Sequence, residues 1–237
     1  MLKSHLNRIF IALTLLMIAA AFLASSKRKN TPPPYEERIY VLDSLVVMGR
    51  QKPKWKDPNY RISPYDSLIK HYADSVNMDW RFFSAIVYFE SKFDPNVKSS
   101  RGAAGLMQMM PGTSAKFGAK DPSDPVQSVR AGARYLSMLN KRYIKLAANE
   151  TEREKLVLAA YNAGEGRIQD CITFARYKGV DPGYWQNIVD LIPEMRVDSI
   201  INNVPGVRLG VFKGYETLAY VDRVMEKFEH YKDLTNP

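Results

Sequence analysis

Residues 80–92 read WRFFSAIVYFESK, a run that is apolar except for a few positions and carries a single glutamate, Glu90. On a helical wheel of about 100° per residue, the apolar and polar side chains separate into two arcs. The apolar arc contains Phe82, Phe83, Ile86, Val87 and Phe89. The polar arc contains Arg81, Ser84, Tyr88, Ser91 and Lys92. Glu90 falls within the apolar arc, so the pattern predicts a helix whose one glutamate points towards the core.

A carboxyl group on a buried helix face has chemical consequences. Burial disfavours the ionised form, and the negative end of the helix dipole acts in the same direction near a C-terminus. Both effects raise the pKa, which is what a general acid needs in order to hold its proton near neutral pH. The alternative is a structural glutamate that pairs with an arginine or caps a loop amide, and the wheel by itself favours this alternative.

The chain around this helix is predicted to be mainly α, with at most a minor β element. A helix is expected to start at Ser63, where serine and proline precede an acid at Asp66. The helix that contains Glu90 should start at Asp79 and end before Pro95. Further helices are predicted at about 125–145, 152–163, 165–178 and 214–232, from apolar residues at helical spacing. Residues 93–123 and 178–213 are rich in glycine and proline and are predicted to be loops with short helices at most.

The N-terminal part has a different composition. Residues 9–24 are uncharged and apolar and follow a basic start, which is typical of a signal peptide or an N-terminal membrane anchor over 1–26. The run is shorter than the roughly 20 residues of a typical span, but the basic residues that follow it slightly favour an uncleaved anchor. Residues 27–62 contain several prolines and mixed charges and are predicted to be a linker. The folded domain is expected to cover 63–237.

Charge and rare residues exclude some classes of function. The net charge of +9 favours polyanionic surroundings without choosing among them. A nucleic-acid-binding protein is disfavoured, because the sequence has an apolar export segment and no basic recognition helix. The single cysteine, Cys171, lies in an apolar-periodic stretch and is predicted to be buried. The three histidines are far apart, so we expect neither a metal site nor a cofactor.

Four short motifs follow one another along the chain. They are E-S-x-F-x-P at 90–95, G-L-M-Q-x-M-P-x-T at 105–113, A-Y-N-A-G at 160–164 and E-T-x-x-Y-V at 216–221. In this order they resemble the catalytic domain of the soluble lytic transglycosylases, which are related to goose-type lysozyme, and above all the membrane-bound F type. The resemblance covers about 63–237 and implies a lysozyme-like helical domain that cleaves peptidoglycan glycan strands in the cell envelope.

The resemblance also implies roles for individual residues. Glu90 would be the catalytic acid, and it would break the β-1,4 bond between N-acetylmuramic acid and N-acetylglucosamine with formation of a 1,6-anhydro ring. Substrate-binding roles would fall to Ser99, Gln108, Met110, Tyr161 and Asn162, with Tyr161 reaching Glu90 to fix its orientation. Supporting roles would fall to Gly105, Glu216 and Tyr220. Without the motifs, Ser99 is more simply a loop cap, Met110 a core residue and Gly105 a turn glycine.

Two other functions compete with this interpretation. A lysozyme-type muramidase would use water in place of the C6 hydroxyl of the sugar, and a non-catalytic scaffold would only bind the wall. The predicted burial of Glu90 argues against a scaffold, because an acid buried without a function costs stability.

Overall fold

The computed structural model describes residues 59–236, and the helices in this range account for most of the chain there. In chain order they are α1 (Asp66–Ser75), α2 (Trp80–Ser91), α3 (Pro111–Lys116), α4 (Pro125–Tyr143), α5 (Glu150–Ala163), α6 (Glu165–Tyr177), α7 (Trp185–Met195), α8 (Asp198–Ile201) and α9 (Tyr215–Thr235). The predicted mainly α class is confirmed. The predicted signal peptide or membrane anchor, 1–26, lies outside the described residues. The predicted linker, 27–62, also lies outside them except for its last few residues.

Helix α1 begins three residues later than predicted. The carboxylate of Asp66 accepts hydrogen bonds from the backbone amides of Arg61, Ile62 and Ser63. These bonds hold the preceding residues in a turn, with Ser63 as part of the turn and not as the helix cap. Asp66 therefore acts as an anchor for the chain entering the domain.

Helix α2 begins after its cap at Asp79 and ends before Pro95, at Ser91, as the sequence predicts. The side chain of Asp79 accepts a hydrogen bond from the amide of Arg81 and caps the first turn. After Ser91 the chain leaves the helix through two successive residues in the left-handed region, Lys92 (φ 50°) and Phe93 (φ 63°). The turn places Glu90 in the last turn of α2, immediately before the loop that carries the second motif.

The polar arc of α2 is not a solvent-exposed face. Ser84 is fully buried and Ser91 nearly so. The expectation from the helical wheel that these polar residues face solvent is therefore wrong. Helix α1 and helix α9 both pack against α2, so partners cover it on more than one side. A wheel assigns the polar side to solvent because it does not include the neighbouring helices.

Helix α9 runs antiparallel to α2, because Glu90 meets Tyr220 at one end while Phe82 meets Phe228 at the other. Helix α9 also packs along α5. Its buried residues follow helical spacing: Thr217, Tyr220, Val221, Val224, Phe228 and Tyr231. The three helices α2, α5 and α9 therefore form the frame on which the candidate site lies.

The two predicted loop regions differ in content. Residues 93–123 contain only the short α3 and two isolated antiparallel bridges, Lys98 to Ala104 and Ala104 to Met109, in agreement with the prediction. Residues 178–213 contain α7, which is 11 residues long and is more than the short helices that were predicted. The proline that suggested a loop, Pro193, lies close to the helix end, and one apolar face of α7 is buried in the core.

The remaining fold-level expectations concern burial and the membrane. Cys171 is buried, as predicted. Within residues 59–236, no helix has both the length and the apolar character needed to cross a membrane. The apolar run 9–24 lies outside this range.

Candidate active site

The carboxyl group of Glu90 lies between α2 and α9. Its Oε1 accepts a hydrogen bond of 2.6 Å from the hydroxyl of Tyr220. The residue is half-buried. Burial raises the pKa of Glu90 to about 7, although the hydrogen bond from Tyr220 acts in the opposite direction and lowers it. The group can therefore hold its proton near neutral pH and still reach the surface.

No second carboxyl group takes part in this arrangement among the described residues. Burial and the Tyr220 hydroxyl account for the shift of the Glu90 pKa, without a contribution from another charge in that range. Asp94 is exposed and bonds to Asn96 in its own turn. Asp79 lies at the other end of α2 in an ion pair with Arg81. Glu90 is a single acid, which distinguishes the site from the usual pair of carboxyl groups in glycosidases.

Tyr161 lies at the end of α5. The resemblance predicts that it reaches Glu90, but its hydroxyl makes no hydrogen bond with that residue. Its hydroxyl donates a 2.7 Å hydrogen bond to the backbone carbonyl of Met107. The charge of Glu90 nevertheless acts on this hydroxyl: burial, and to a lesser extent the negative charge of Glu90, raises the pKa of Tyr161 well above its usual value. The direct partner of Glu90 is Tyr220, for which the resemblance implies only a supporting role.

The loop between α2 and α3 carries three of the predicted substrate-binding residues. Ser99 is exposed, and its Oγ accepts a hydrogen bond from the amide of Ala103 at 2.9 Å. This bond is the local capping role that the sequence without the motifs favours for Ser99. A contact between Ser99 and substrate stays a prediction.

Gln108 holds the same loop together. It has a left-handed backbone (φ 43°), and its side-chain amide donates to the carbonyls of Val97 (2.8 Å) and Gly105 (2.9 Å). The donors of the amide are thus used by the protein. A role of Gln108 towards sugar would have to rest on its carbonyl oxygen.

Met110 is 46% exposed, immediately before α3. An exposed methionine is not a core residue, so the simpler alternative for this position is wrong. Its neighbour Met109 is buried and pairs with Ala104, and Met107 accepts the bond from Tyr161. The loop therefore presents one apolar side chain at the surface while its other methionines anchor it near Glu90.

Gly105 is required for packing. Its φ is +76°, and a Cβ atom there would lie 1.7 Å from the carbonyl oxygen of Pro122 and 2.9 Å from Oγ of Ser128. The close approach is therefore between two parts of the protein. This contact is enough to explain the glycine, and its supporting role at the site stays a prediction.

Asn162 is exposed at the end of α5, and its Oδ1 accepts a hydrogen bond of 2.9 Å from Oγ1 of Thr217. This contact ties α5 to the first turn of α9, one turn before Tyr220. Thr217 was not singled out from the sequence, although it lies within the fourth motif. Glu216 is exposed in the same turn, near the positive end of the helix dipole, and its supporting role stays a prediction.

A second structural residue that sequence reasoning missed is Asp170 on α6. It is buried, and its carboxylate accepts the amides of Arg208 (3.0 Å) and Leu209 (2.7 Å). These bonds hold the segment that leads into α9. An acid within the apolar stretch 168–174 is the same kind of signal that singled out Glu90, so this residue could have been found.

Within the described residues, no group of three or more histidine, cysteine, aspartate or glutamate side chains is placed to hold a metal ion. The chemistry that the site offers is proton transfer by one carboxyl group. Tyr220 orients that group, and a loop with an exposed Met110 lies beside it.

The sequence of this chain is similar to those of known proteins. Residues 67–179 match the family described as Transglycosylase SLT domain. The membrane-bound lytic murein transglycosylase F of Marinobacter nauticus is 32% identical over 225 residues, which cover 94% of this chain and 44% of that protein. The protein of the same name from Desulfosudis oleivorans is 31% identical over 172 residues, 73% of this chain and 37% of the relative. The chain thus spans less than half the length of these relatives.

A solved structure has a similar fold. It is an inactive mutant of the lytic transglycosylase Slt from Pseudomonas aeruginosa, with a TM-score of 0.50, 21% identity and coverage of 84% of this chain and 28% of that one. At this identity the likeness concerns the fold alone, and it agrees with the predicted lysozyme-like class.

Proposed function

We propose that this chain, whose residues 67–179 match the family described as Transglycosylase SLT domain, is a peptidoglycan lytic transglycosylase. It cleaves the β-1,4 bond between N-acetylmuramic acid and N-acetylglucosamine and leaves 1,6-anhydromuramoyl ends. The observation that carries the proposal is the single carboxyl group of Glu90, whose pKa is raised to about 7 and which bonds to Tyr220.

In the first step, the protonated Glu90 transfers its proton to the oxygen of the glycosidic bond. The C1–O bond breaks, and the acetamido group of the muramoyl residue stabilises the positive charge that develops at C1. General acid catalysis of this kind contributes about 10² to 10⁴ in rate. The raised pKa supports this role, because a carboxyl group of ordinary pKa holds almost no proton at pH 7.

In the second step, the carboxylate of Glu90 takes the proton from the C6 hydroxyl of the same sugar. The C6 oxygen then bonds to C1 and closes the 1,6-anhydro ring, and Glu90 is protonated again for the next cycle. One carboxyl group serves both steps, so a second acid is not required. The hydroxyl of Tyr220 supports the step by keeping Oε1 in place and by stabilising the ionised form.

The predicted substrate-binding residues form two groups: those whose side chains are available to a substrate, and those whose side chains already bond to the protein. Met110 is exposed and apolar, which suits packing against a sugar face. Asn162 is exposed and retains its amide donors, which suit an acetamido or hydroxyl oxygen. Ser99 and Gln108 contribute through the loop they stabilise, and Tyr161 contributes by holding the carbonyl of Met107.

The protein is proposed to act in the cell envelope, attached to the membrane by residues 9–24. Two observations support this location: the apolar run after a basic start, and the word membrane-bound in the names of the relatives. The proposed substrate, peptidoglycan, is also found there.

Digestion of purified sacculi with the full chain, followed by mass spectrometry of the soluble fragments, tests the function. We expect fragments whose muramoyl ends are one water lighter than reducing ends. Ends of full mass would indicate a muramidase, and sacculi that bind the protein without releasing fragments would indicate a scaffold. Either result contradicts the proposal.

The role of Glu90 is tested with Glu90→Gln and a matched control. The substitution keeps size and shape but removes the transferable proton, so turnover should fall by at least about 10². Asp94→Asn, an exposed acid four residues away, should retain activity close to that of the wild type. Near wild-type activity in Glu90→Gln would exclude this residue as the acid.

A further inference from the structure

A cavity lies at the opposite end of the three-helix frame from Glu90. Its volume is about 360 Å³. Its lining comes from the turn before α2 and from α2, α4, α5 and α9, and the residues on which its chemistry depends are Met78, Phe82, Glu154, Val157, Phe228 and Lys232. The residues of the candidate active site do not line it.

The position of the cavity follows from the helices that it shares with the active site. Phe82 precedes Glu90 on α2 by eight residues, a rise of about 12 Å. Phe228 follows Tyr220 on α9 by the same number. The two sites are therefore separate, but they are connected by the same helices.

The cavity lining includes four apolar side chains. The rings of Phe82 and Phe228 meet edge to face with their centroids 5.4 Å apart, and Met78 and Val157 are the other two. Apolar side chains of this kind suit the hydrocarbon chain of a ligand.

The rim of the cavity is charged, and most of its charged groups are already paired. Three ion pairs account for them: Asp79 with Arg81 (2.6 Å), Glu150 with Arg153 (2.9 Å) and Glu229 with Lys232 (2.5 Å). Arg153 also donates a hydrogen bond of 2.7 Å to Asn140. These pairs fix the rim.

Glu154 is the exception among the charged groups of the rim. Its carboxyl group makes no hydrogen bond or ion pair with another residue of the described range. Burial raises its pKa to about 7, and the negative charge of Glu150 and, less strongly, of Asp79 adds to this effect, while Lys232 and Arg153 oppose it. Glu154 is half-buried, so its carboxyl oxygens face the cavity without a donor from the protein and can accept hydrogen bonds from a ligand.

We propose that this cavity is a second binding site that takes an alkylammonium group. The hydrocarbon chain of the ligand lies on Phe82, Val157 and Phe228, and its ammonium group donates hydrogen bonds to Glu154. The group comes either from a free small amine or from a lysine-type side chain of a peptide. The site does not depend on the proposed reaction at Glu90.

Calorimetric titration of the full chain tests this site. The probe is 1,5-diaminopentane, and the matched neutral probe is 1,5-pentanediol, which has the same chain length without the charge. We expect saturable binding of the diamine, with an affinity at least about tenfold above that of the diol, because a hydrogen bond between charged groups is the stronger kind. No saturable binding of the diamine, or equal affinity for both probes, would overturn the proposal.

Three variants localise the binding. Glu154→Gln should weaken diamine binding by about tenfold or more, while Glu226→Gln, an exposed acid on α9, should not. An unchanged affinity in Glu154→Gln would refute the site. Glu90→Gln should bind the diamine as the wild type does, and loss of binding there would instead place the amine in the active-site cleft, against the proposal.

Titration with N-acetyl-lysine amide distinguishes the two sources of the group. Binding of this compound as tightly as the diamine would indicate that a peptide side chain enters the cavity. Binding of the diamine alone would indicate that the cavity takes only free amines. Both results agree with an alkylammonium site, and each assigns it to one source.

Discussion

The hydroxyl of Tyr220 and the Oε1 atom of Glu90 are 2.6 Å apart, although the two residues are 130 positions apart in the sequence. The hydroxyl donates to the carboxyl group and favours its ionised form, while burial favours the protonated form. The balance of these two effects sets the pKa of Glu90 to about 7. Four predictions depend on this contact and on the loop beside it.

Tyr220→Phe removes the hydrogen bond and retains the ring. The bond lowers the pKa of Glu90, so its loss should raise this pKa above that of the wild type. The carboxyl group also loses its orientation, and the rate should fall by roughly tenfold to a hundredfold. The measurement is the rate of release of fragments from sacculi as a function of pH, in which the falling limb should move to higher pH.

Tyr161→Phe is the matched control for this shift. The hydroxyl of Tyr161 bonds to the carbonyl of Met107 and not to Glu90. The variant should lose activity through the loop without moving the falling limb upwards. If both variants moved the limb equally, Tyr220 would not be the specific partner of Glu90.

The pH profile of the wild type follows from the same pKa. The first step needs the protonated form of Glu90, so kcat/KM should be constant well below pH 7 and fall about tenfold per unit well above it. Ionisation of Glu90 itself should be visible by carboxyl infrared absorption, with the absorption of Glu90→Gln as the blank. A falling limb that began near pH 4.5 would contradict the raised pKa.

The stability of the fold should also depend on Glu90. Because its folded-state pKa (about 7) is above the ordinary value of 4.5, the unfolded chain loses the proton first as pH rises. Glu90 therefore destabilises the fold increasingly between pH 4.5 and 7, and by a constant amount above pH 7. Glu90→Gln should unfold like the wild type near pH 4 and should be more stable by about 1–3 kcal/mol at pH 8.

Urea unfolding at the two pH values measures this difference. The change in free energy of unfolding must appear at pH 8 and vanish near pH 4. A variant that was equally stable to the wild type at both values would show that the carboxyl group is not desolvated in the fold.

Gly105→Ala should destabilise the domain strongly. The added Cβ would lie 1.7 Å from the carbonyl oxygen of Pro122, and the backbone has a φ that alanine rarely adopts. We expect a loss of more than about 3 kcal/mol in the free energy of unfolding. Gly112→Ala is the control, because a Cβ there meets no atom within 4 Å and alanine is the better helix former in α3. Thermal unfolding of the two variants, which should change Tm in opposite directions, checks the pair.

Much of the fold was predictable because the signals are local. The spans of α2, α4, α5, α6 and α9 agree with the apolar periodicity to within a few residues, since a helix repeats its buried positions every turn. Helix α7 shows the limit of prediction from local signals, because it is longer than the short helices expected in this region. Glycine and proline indicate a break, but Pro193 lies near the helix end, and the apolar face of α7 is stabilised by the core.

The sequence by itself determined that Glu90 belongs to an apolar helix face, because helical periodicity is a property of neighbouring positions. It also determined that the four motifs occur in one order along the chain. Only the tertiary structure decided which tyrosine bonds to Glu90. Tyr161 and Tyr220 both lie on helix faces that pack against the core. Which of them bonds to Glu90 depends on how α9 packs against α2 and α5. It also decided that Ser84 and Ser91 are buried. Periodicity along one helix carries no information on the helix that will cover it, so these contacts and the pKa of Glu90 exist only once the three helices are assembled.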